Sequence, residues 1–436
     1  MYTVPAICIL YIICIPTFKN HDELYHWYRG YEVSIGRLAT GVEGDILGTE
    51  MPENISKPTT KDWTKITYKN VIEYMNLGLE TEKQTILYSE TSAVYSFIQY
   101  LPQGIGIFIA RLFTDKVLLL AYGGRIVNML VSLIFIYFAI KKIPFGKKII
   151  LLMSYLPIAI EGFTSLSPDA MTISVAFLYI SYILSLTFDT RNNIIGKKQI
   201  IILTILSIIV ALCKIVYIPL VILLFIIPKE KFKNEKKVNT IIFIILIAFA
   251  INFIWLGISS IYLSKFREGD SLVQVKSLLI HPIRYIQNCL YTLNLNGSSY
   301  ITTMFGERLG WGELISVHSI VPYTLFIMAI YITISDKSIK EKFDVYQNLI
   351  IIFVIVSIIA LIFTSLYVQW TTCESDSIAG IQGRYFIPIL PLIMIEIGNK
   401  VKIITQYKEE KGIKLIGITG IILQILVISQ IIICHL

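Results

Sequence analysis

The chain has 436 residues, of which 55% are hydrophobic and 16% are charged, and its mean hydropathy is +0.70. A soluble domain carries about a quarter charged residues, so this composition excludes an ordinary soluble protein. The formal net charge is +8, but the basic residues lie in short loops between apolar stretches, which argues against a nucleic-acid partner. The pattern predicts an integral membrane protein.

Apolar stretches recur along the whole chain and are predicted to be transmembrane helices. Hydrocarbon offers no hydrogen-bond partners, so spanning segments must be helices or closed barrels, and continuous apolar runs favour helices. We expect about eleven spans in a single all-α membrane domain, residues 1–436. In chain order, these spans are residues 2–18, 117–140, 149–163, 170–188, 199–212, 215–228, 238–262, 319–335, 347–368, 385–398 and 414–434.

Lysine and arginine are concentrated in five short loops, at residues 141–148, 189–198, 229–237, 337–342 and 400–414. The positive-inside rule places these loops in the cytoplasm. The N-terminus is then cytoplasmic and the C-terminus extracytoplasmic, in a multi-pass protein of the cell membrane. Because an even number of passes must separate any two of these loops, residues 199–228 are predicted to form a helical hairpin that turns at Lys214.

Two longer segments are predicted to lie outside the cell, at residues 19–116 and 264–318. Within the first, the stretch Ser92 to Phe113 is apolar. Counting it as a span would move every later loop to the opposite side of the membrane. It contains proline and glycine, which suit a broken helix packed against protein. We therefore expect an interfacial or re-entrant helix in this loop.

The first candidate site follows the first predicted span. Adjacent carboxylates, Asp22 and Glu23, suit a general base, because a low dielectric raises one pKa and the second carboxylate opposes double ionisation. Asp22 and His26 are four residues apart and share one helix face. The alternative is that Asn20 or Asp22 simply caps an interfacial helix.

Two further candidates are Asp169 and Lys214. Asp169 ends the loop Ser165–Asp169, which is predicted to face the same side as Asp22, although Ser167 or Asp169 could instead cap the next helix. Lys214 interrupts an apolar run, where a charge costs a few kcal/mol, so a functional role in binding phosphate is predicted. The alternative is that its ammonium group snorkels to the interface.

Two arginines complete the candidates. Arg384 and Tyr385 open the tenth predicted span, and a guanidinium can hold phosphate through two parallel hydrogen bonds. Arg125 follows two glycines that permit close helix approach. For either arginine, an ion pair with an outer-loop carboxylate is an equally open alternative to a ligand contact. The sequence contains no HExxH, paired-cysteine or phosphate-cradling glycine motif, so no metal ligand is assigned.

Several motifs together resemble a family of bacterial polytopic proteins known as domain of unknown function 2142. They are His21-Asp22-Glu23 with His26 and Arg29, Tyr95 to Gln103, Ser165 to Asp169, and Gln382 to Pro388. The family often has proline before Asp-Glu, where this chain has His21. The Asp22-Glu23 pair is also similar to that of GT-C-type integral-membrane glycosyltransferases, such as protein O-mannosyltransferases and aminoarabinose transferases.

The GT-C resemblance implies a fold with a large first extracytoplasmic loop that contains interfacial helices. It also implies sugar transfer from a polyprenyl-phosphate donor to a cell-envelope glycan or protein acceptor, with inversion. On this hypothesis Asp22 is the base, and Glu23 and Asp169 orient the acceptor, tune Asp22 or hold an optional divalent metal ion. The predicted substrate-binding residues are His26, Arg29, Arg125, Lys214, Arg384 and Tyr385.

Two other functions remain open at this point. A flippase or transporter for lipid-linked saccharides, or a polysaccharide polymerase, would also need carboxylates and cations at the outer face. A transporter should show inverted repeats and discontinuous helices near the middle of the membrane. Convergence of Asp22, Asp169, Lys214 and Arg384 on one cavity would favour the transferase.

Overall fold

The structure, a computed structural model, describes residues 3–43, 46–59, 67–82, 84–88, 90–189, 194–232, 237–266, 270–310, 312, 314–340, 342–373, 375–401 and 409–435. Parts of the basic loops, residues 190–193, 233–236 and 402–408, lie outside the described residues. The orientation argument from Arg191, Lys233, Lys236, Lys402 and Lys408 therefore stays a prediction.

The described chain is all-α, with short strands in two places. The helices of its first half are α1 (Thr3–Cys14), α2 (Glu23–Ser34), α3 (Tyr68–Tyr74), α4 (Leu101–Arg111), α5 (Val117–Lys142), α6 (Lys147–Met153), α7 (Pro157–Phe163) and α8 (Asp169–Phe188). Those of its second half are α9 (Lys197–Cys213), α10 (Lys237–Phe266), α11 (Asp270–Ile280), α12 (Pro282–Met304), α13 (Ile320–Ser335), α14 (Val345–Gln369), α15 (Leu390–Lys400) and α16 (Glu409–His435).

The strands belong to the two segments predicted as outer loops. β1 (Val42–Glu43), β2 (Ile46–Pro52) and β3 (Gln84–Tyr88) form an antiparallel sheet in the order β1-β2-β3. Gly48 pairs with Tyr88, and Pro52 pairs with Gln84. β4 (Arg308–Leu309) and β5 (Ile315–Ser316) form a small hairpin after α12.

Five helices of the described chain are long and apolar enough to cross a membrane, which supports a multi-pass membrane protein. They are Val117–Lys142, Asp169–Phe188, Lys237–Tyr262, Val345–Gln369 and Glu410–His435. Other apolar segments, such as Thr3–Cys14 and Ile320–Ser335, are shorter. The total of eleven spans remains a prediction.

Three predicted spans are not regular helices. Residues 149–163 divide into α6 and α7, and Pro157 occupies the first turn of α7. Ile215–Ile226 is a 3₁₀ helix that contains Pro219, and Gly383–Ile389 is a 3₁₀ helix that contains Pro388 and precedes α15. Proline lacks an N–H and disfavours the α conformation of the preceding residue, so it interrupts α-helical hydrogen bonding at these positions.

Parts of the five basic loops meet at one end of the helix bundle, which we call the basic end. The joining contacts are Lys148 with Asp336, Lys342 with Asn399, Ile195 with Lys231, and Phe188 with Phe343. Since α9 leaves this end and the Ile215–Ile226 segment returns to it, residues 199–228 form the predicted hairpin. Lys214 lies at the turn of this hairpin, ~25 Å from the basic end, because α9 has 17 residues and an α-helix rises about 1.5 Å per residue.

The stretch from Ser92 to Phe113 is not one continuous helix, but the proline and glycines that were expected to break it lie within the continuous helix α4. Its interfacial or re-entrant position stays a prediction. Two 3₁₀ turns, Glu90–Val94 and Phe97–Tyr100, precede α4, which packs between α2 and α5. Gly106 of α4 lies so close to α5 that an added Cβ would stand 2.2 Å from the Gly123 carbonyl oxygen. Glycine at this crossing therefore allows the loop to pack against the bundle.

The sequence did not predict the two helices α11 and α12 within residues 264–318. They carry exposed apolar side chains, including Leu272, Leu279, Ile283 and Leu290. The C-terminal end of α12 approaches Gly383, where an added Cβ would lie 2.3 Å from the Tyr300 carbonyl oxygen. This contact links α12 to the segment that carries Arg384.

Candidate functional site

Asp22 immediately precedes α2 in an unusual backbone conformation. Its φ is 51°, and among the described non-glycine residues only Phe18 and Asp22 have positive φ. Such a conformation costs roughly 1–3 kcal/mol and persists only where the surroundings enforce it. The Asp22 side chain makes no cap hydrogen bond to α2, so the capping interpretation is not supported for it.

Glu23 and Arg125 form a buried ion pair that holds the turn around Asp22. Arg125 donates from Nε to Glu23 Oε1 at 2.7 Å and from Nη2 to Oε2 at 2.6 Å. Both side chains are 0% exposed. Arg125 also donates to the carbonyl oxygens of Ile15 and Pro16, so every part of its guanidinium is engaged.

The remaining hydrogen bonds to Glu23 come from the two chain segments that flank the site. Its carboxylate accepts from the backbone N–H groups of Phe18 and Leu166 and from the side chain of Asn20. Burial raises the pKa of Glu23, but Arg125 and these donors outweigh it, so the net pKa is lowered. Glu23 and Arg125 therefore join the segment 16–23 to the loop 165–169, and neither side chain is free for a ligand.

The other predicted charges converge. Lys214 Nζ lies 2.7 Å from Asp169 Oδ1, and Arg384 Nε lies 3.4 Å from Asp169 Oδ2. Arg384 also reaches Asp22, with Nη2 at 3.4 Å from Oδ2. Four residues that are far apart in the sequence thus form one cluster, Asp22–Arg384–Asp169–Lys214, which we call the charged cluster.

The members of the charged cluster differ in access and in the strength of their contacts. The Asp22 side chain is 45% exposed, whereas those of Asp169, Lys214 and Arg384 are 12–14% exposed. Burial lowers the pKa of Lys214, but the neighbouring Asp169 outweighs it and raises the pKa overall, so the ammonium stays charged. The contacts of Arg384 are longer than those of Arg125, which makes its guanidinium the more available of the two.

Aromatic rings surround the lysine. The ammonium nitrogen of Lys214 lies 5.3 Å from the ring centre of Tyr95 and 4.9 Å from that of Tyr385. The Tyr217 hydroxyl donates to the Tyr385 carbonyl oxygen at 2.7 Å, which fixes that backbone. Tyr95 was not among the predicted site residues, because its motif contains no charged group that marks it. Burial raises its pKa to about 12, so it keeps its hydroxyl proton.

His26 and Arg29 lie behind the charged cluster. His26 Nδ1 is 2.8 Å from the Tyr100 hydroxyl, and burial lowers its pKa to about 4 despite the nearby carboxylates of Asp22 and Asp169. His26 is therefore neutral near pH 7. Arg29 is 0% exposed and bonds Glu32 at 2.7 Å, so its guanidinium is used within the fold.

Amide side chains hold the loop that carries Asp169. Gln103 donates to the carbonyl oxygens of Leu166 and Ser167, and Asn128 donates to those of Ser165 and Ser167. The Ser167 hydroxyl accepts from the Asp169 N–H at 3.2 Å, but Pro168 occupies the N-cap position of α8 and no side chain caps this helix. The capping interpretation is therefore not supported for Ser167 or Asp169, and the Asp169 side chain contacts Lys214 and Arg384 instead.

Two cavities adjoin the charged cluster. One is a largely apolar groove that is open to the outside of the protein. It is lined by residues such as Leu212, Trp255, Leu256, Ile362 and Trp370, and it also touches Lys214 and Tyr385. The other is a small cavity with room for about one water molecule, lined in part by Asn20, His21, Glu161, Asp169 and Arg384. The ion pair between Lys214 and Asp169 separates the two.

The described residues do not favour a metal site. Among them, no group of three or more His, Cys, Asp or Glu side chains could hold a metal ion. Arg384 contacts both Asp22 and Asp169, and Lys214 contacts Asp169, so two positive charges already balance the two carboxylates that a divalent ion would require.

The long apolar helices define the class of the protein as an α-helical, multi-pass membrane protein. Residues 6–393 match the model of the family described as predicted membrane protein, DUF2142, and the chain belongs to that family. No curated protein and no solved structure matches the chain.

Proposed function

We propose that this protein is a GT-C-like membrane glycosyltransferase that moves a sugar from a polyprenyl-phosphate donor to a cell-envelope acceptor. The observation that carries the proposal is the charged cluster, in which Lys214 reaches the apolar groove. The four side chains were expected to converge on a single cavity. They contact one another, but Lys214 lines the groove whereas Asp169 and Arg384 line the second cavity. The eleven spans, a GT-C-like first loop and an extracytoplasmic position of the cluster belong to this proposal.

The groove and the two cations suit a lipid phosphate. Apolar side chains such as Leu212, Leu256 and Ile362 offer a surface for a hydrocarbon chain, and the groove reaches the Lys214 ammonium. Lys214 is a compact positive charge, while Arg384 offers a planar fork that matches phosphate oxygens. A phosphate bound there replaces part of the interaction that Asp169 now makes with both cations.

Asp22 is the carboxylate best placed to act as a base. It is the most exposed member of the charged cluster, and it contacts Arg384 only at 3.4 Å. Asp22 takes the proton of an acceptor hydroxyl, the hydroxyl oxygen bonds to the anomeric carbon, and the bond from that carbon to the phosphate oxygen breaks. Its electron pair leaves with the phosphate, which Lys214 and Arg384 stabilise, and the anomeric centre is inverted.

The other site residues serve this reaction indirectly. Asp169 positions Lys214 and Arg384, and Glu23 with Arg125 holds the strained turn that presents Asp22. Tyr95 and Tyr385 flank the ammonium and restrict its position. A flippase or transporter remains the alternative, because the groove and cations would also bind a lipid-linked saccharide that is moved but not cleaved.

The test is transfer activity in membranes. Membranes with wild-type protein, Asp22→Asn, Asp115→Asn or no protein receive radiolabelled polyprenyl-phosphate sugars, and label in envelope polymer is counted. Asp115 is the matched control, since it lies in the same loop and its side chain is 65% exposed. We expect Asp22→Asn to lose on the order of 10²–10⁴-fold in rate at equal protein level, and Asp115→Asn to retain activity.

The other outcomes are equally informative. Full activity of Asp22→Asn would remove Asp22 as the base. Label that does not depend on the protein with any donor, together with protein-dependent movement of the intact lipid across the membrane, would favour the flippase.

A further inference from the structure

The helices α11 and α12 have the reverse of the polarity that is typical of a helix on a water-exposed surface. Of residues 271–304, the three that are buried are polar: Gln274, Asn288 and Thr292. The exposed side chains are mostly apolar, and those of Leu279 and Ile283 are each 72% exposed. A helix in contact with water buries its apolar face and exposes its polar face. The reversed pattern indicates that this apolar face meets a membrane or another protein.

The buried polar residues of the two helices bind the loop that follows α14. Gln274 Nε2 donates to the Thr371 carbonyl oxygen at 2.9 Å, and Asn288 Nδ2 donates to the Ser375 carbonyl oxygen at 3.0 Å. These hydrogen bonds satisfy the polar side chains inside the protein. They also fix the rotation of both helices, so the apolar faces are held outward.

The turn between the two helices lies beside the last turns of α14. The hydroxyl oxygens of Ser277 and Tyr367 are 3.5 Å apart, and those of Tyr285 and Thr364 are 2.8 Å apart. Thr364 precedes the end of α14 at Gln369 by five residues, which is ~8 Å along the helix axis. Because α14 is long and apolar enough to cross a membrane, the turn lies at the depth of a predicted span.

The sequence of the turn explains why the chain forms a helical hairpin here. Pro282 occupies the first turn of α12, where its missing N–H leaves no hydrogen bond unmade, and it prevents α11 from continuing. The exposed apolar residues Leu279 and Ile283 lie on either side of this proline. The exposed polar residues Asn294 and Ser298 lie in the second half of α12, away from the turn. The exposed surface is therefore most apolar where the hairpin lies deepest along α14.

The charges on this hairpin have one sign. Between Ser271 and Met304 the sequence contains Lys276 and Arg284 but no aspartate or glutamate. Both basic side chains are exposed, and such side chains can keep their stems in hydrocarbon while their charged groups reach the phosphate level. A second copy of the chain would also cover the apolar face, but a two-fold symmetric contact would bring the same cations together. A phospholipid leaflet supplies both hydrocarbon and phosphate.

We infer that the α11–α12 hairpin is inserted into one membrane leaflet, with its apolar face in hydrocarbon and with Lys276 and Arg284 on phospholipid phosphates. Since α14 begins at the basic end, this leaflet is the one at the opposite end of the bundle. The inference is independent of the proposed transferase function, because it uses no residue of the charged cluster. The C-terminal end of α12 packs against Gly383, so the inserted hairpin ties the segment that carries Arg384 to the membrane surface.

The test measures lipid contact directly. The photo-reactive amino acid p-benzoylphenylalanine is placed at single positions of the full-length protein in phospholipid nanodiscs, and intact-mass spectrometry measures lipid adducts after illumination. The probe at Leu279 reports on the hairpin. Phe353 on α14, which is 56% exposed, is the positive control, and Glu82, an exposed residue of the first outer segment, is the negative control.

We expect lipid adducts at Leu279 within about twofold of those at Phe353 and on the order of tenfold above those at Glu82. Adducts at Leu279 no more frequent than at Glu82 would overturn the inference. A cross-link from Leu279 to a second copy of the chain in place of lipid would overturn it as well, and would show that the apolar face is an interface between copies.

A second measurement tests the phosphate contacts. Native mass spectrometry counts the phospholipids that the protein retains from an equal mixture of phosphatidylglycerol and phosphatidylcholine. The combined variant Lys276→Gln and Arg284→Gln is compared with Lys57→Gln and Lys69→Gln, which removes two exposed cations of the first outer segment. We expect the preference for phosphatidylglycerol to fall about threefold to tenfold in the hairpin variant and to stay at the wild-type value in the control. An unchanged preference in the hairpin variant would overturn the assignment of both cations to phosphate.

Discussion

Asp22 and Glu23 are neighbours in the sequence, but their carboxylates lie in opposite surroundings. The Glu23 side chain is 0% exposed and paired with Arg125, whereas the Asp22 side chain is 45% exposed and reaches Arg384. Asp22 precedes α2 in a left-handed backbone conformation, whereas Glu23 is the first residue of the helix, so their side chains leave this turn in different directions. The acidic pair consists of a buried anchor and an accessible carboxylate.

This division predicts that one of two conservative substitutions lowers stability and that the other leaves it nearly unchanged. Glu23→Gln leaves the Arg125 guanidinium buried without its counter-charge, and we expect a loss of about 3–5 kcal/mol in the free energy of unfolding. Asp22→Asn removes a partly exposed charge with long contacts, so its Tm should stay close to that of wild type. Thermal unfolding of the purified proteins in detergent measures both. Equal Tm values for the two variants would contradict the anchoring role of Glu23.

A glycine outside the charged cluster should control the position of Arg384. Gly383→Ala places a Cβ within 2.4 Å of the backbone of both Tyr300 and Met304, so the segment that carries Arg384 must move. We expect the free energy of unfolding to fall by about 1–3 kcal/mol, which lowers the Tm, and the Kd for polyprenyl phosphate to rise. Gly297→Ala is the control on α12, because its added Cβ meets nothing within 4 Å. Wild-type phosphate affinity in Gly383→Ala would show that α12 does not position Arg384.

Lys214 is predicted to bind the donor phosphate. Lys214→Met keeps the apolar stem and removes the ammonium, so the Kd for polyprenyl phosphate should rise on the order of tenfold to a hundredfold. Lys57→Met serves as the control, since that ammonium forms only an exposed pair with Glu80 at 3.5 Å. Native mass spectrometry gives the affinities, and size-exclusion chromatography checks that both variants fold. An unchanged Kd in Lys214→Met would place the phosphate elsewhere.

His26 should make stability depend on pH. Its pKa is lowered from 6.5 to about 4 in the folded protein, so the folded state favours the neutral imidazole. The contribution of neutral His26 is fully present above pH 6.5 and is lost as pH falls from 6.5 through 4, with a loss of about 2 kcal/mol by pH 5. Comparing the Tm of wild type and His26→Gln between pH 8 and pH 5 isolates this effect. Parallel pH profiles of the two proteins would contradict it.

Part of the candidate site could be predicted from charged residues within or next to apolar segments. Asp22, Asp169, Lys214 and Arg384 were each selected from sequence, and they meet in the structure. Glu23 was selected as the second carboxylate of the acidic pair, Arg125 for its two neighbouring glycines and Arg29 from the family resemblance, but all three form buried ion pairs. Local sequence does not distinguish charges that join the cluster from charges that form buried ion pairs, because the partner of each charge depends on which helices pack together.

Residues without charge were harder to predict. Tyr95 contacts Lys214, and Gly383 sets the distance between α12 and Arg384. Both lie in motifs that carry the family resemblance, but nothing in those motifs indicates these contacts. The helices α11 and α12 were also missed, since their many polar residues obscure the apolar faces that remain exposed.

The sequence by itself determined that this protein is helical and embedded in a membrane. Continuous apolar runs can satisfy their backbone hydrogen bonds in lipid only as helices, and that requirement is local to each segment. Tertiary structure alone decided which carboxylates are neutralised by buried arginines and which remain accessible beside a groove. The reason is that ion pairs such as Arg384 with Asp22 join residues 362 positions apart, and only helix packing sets those distances.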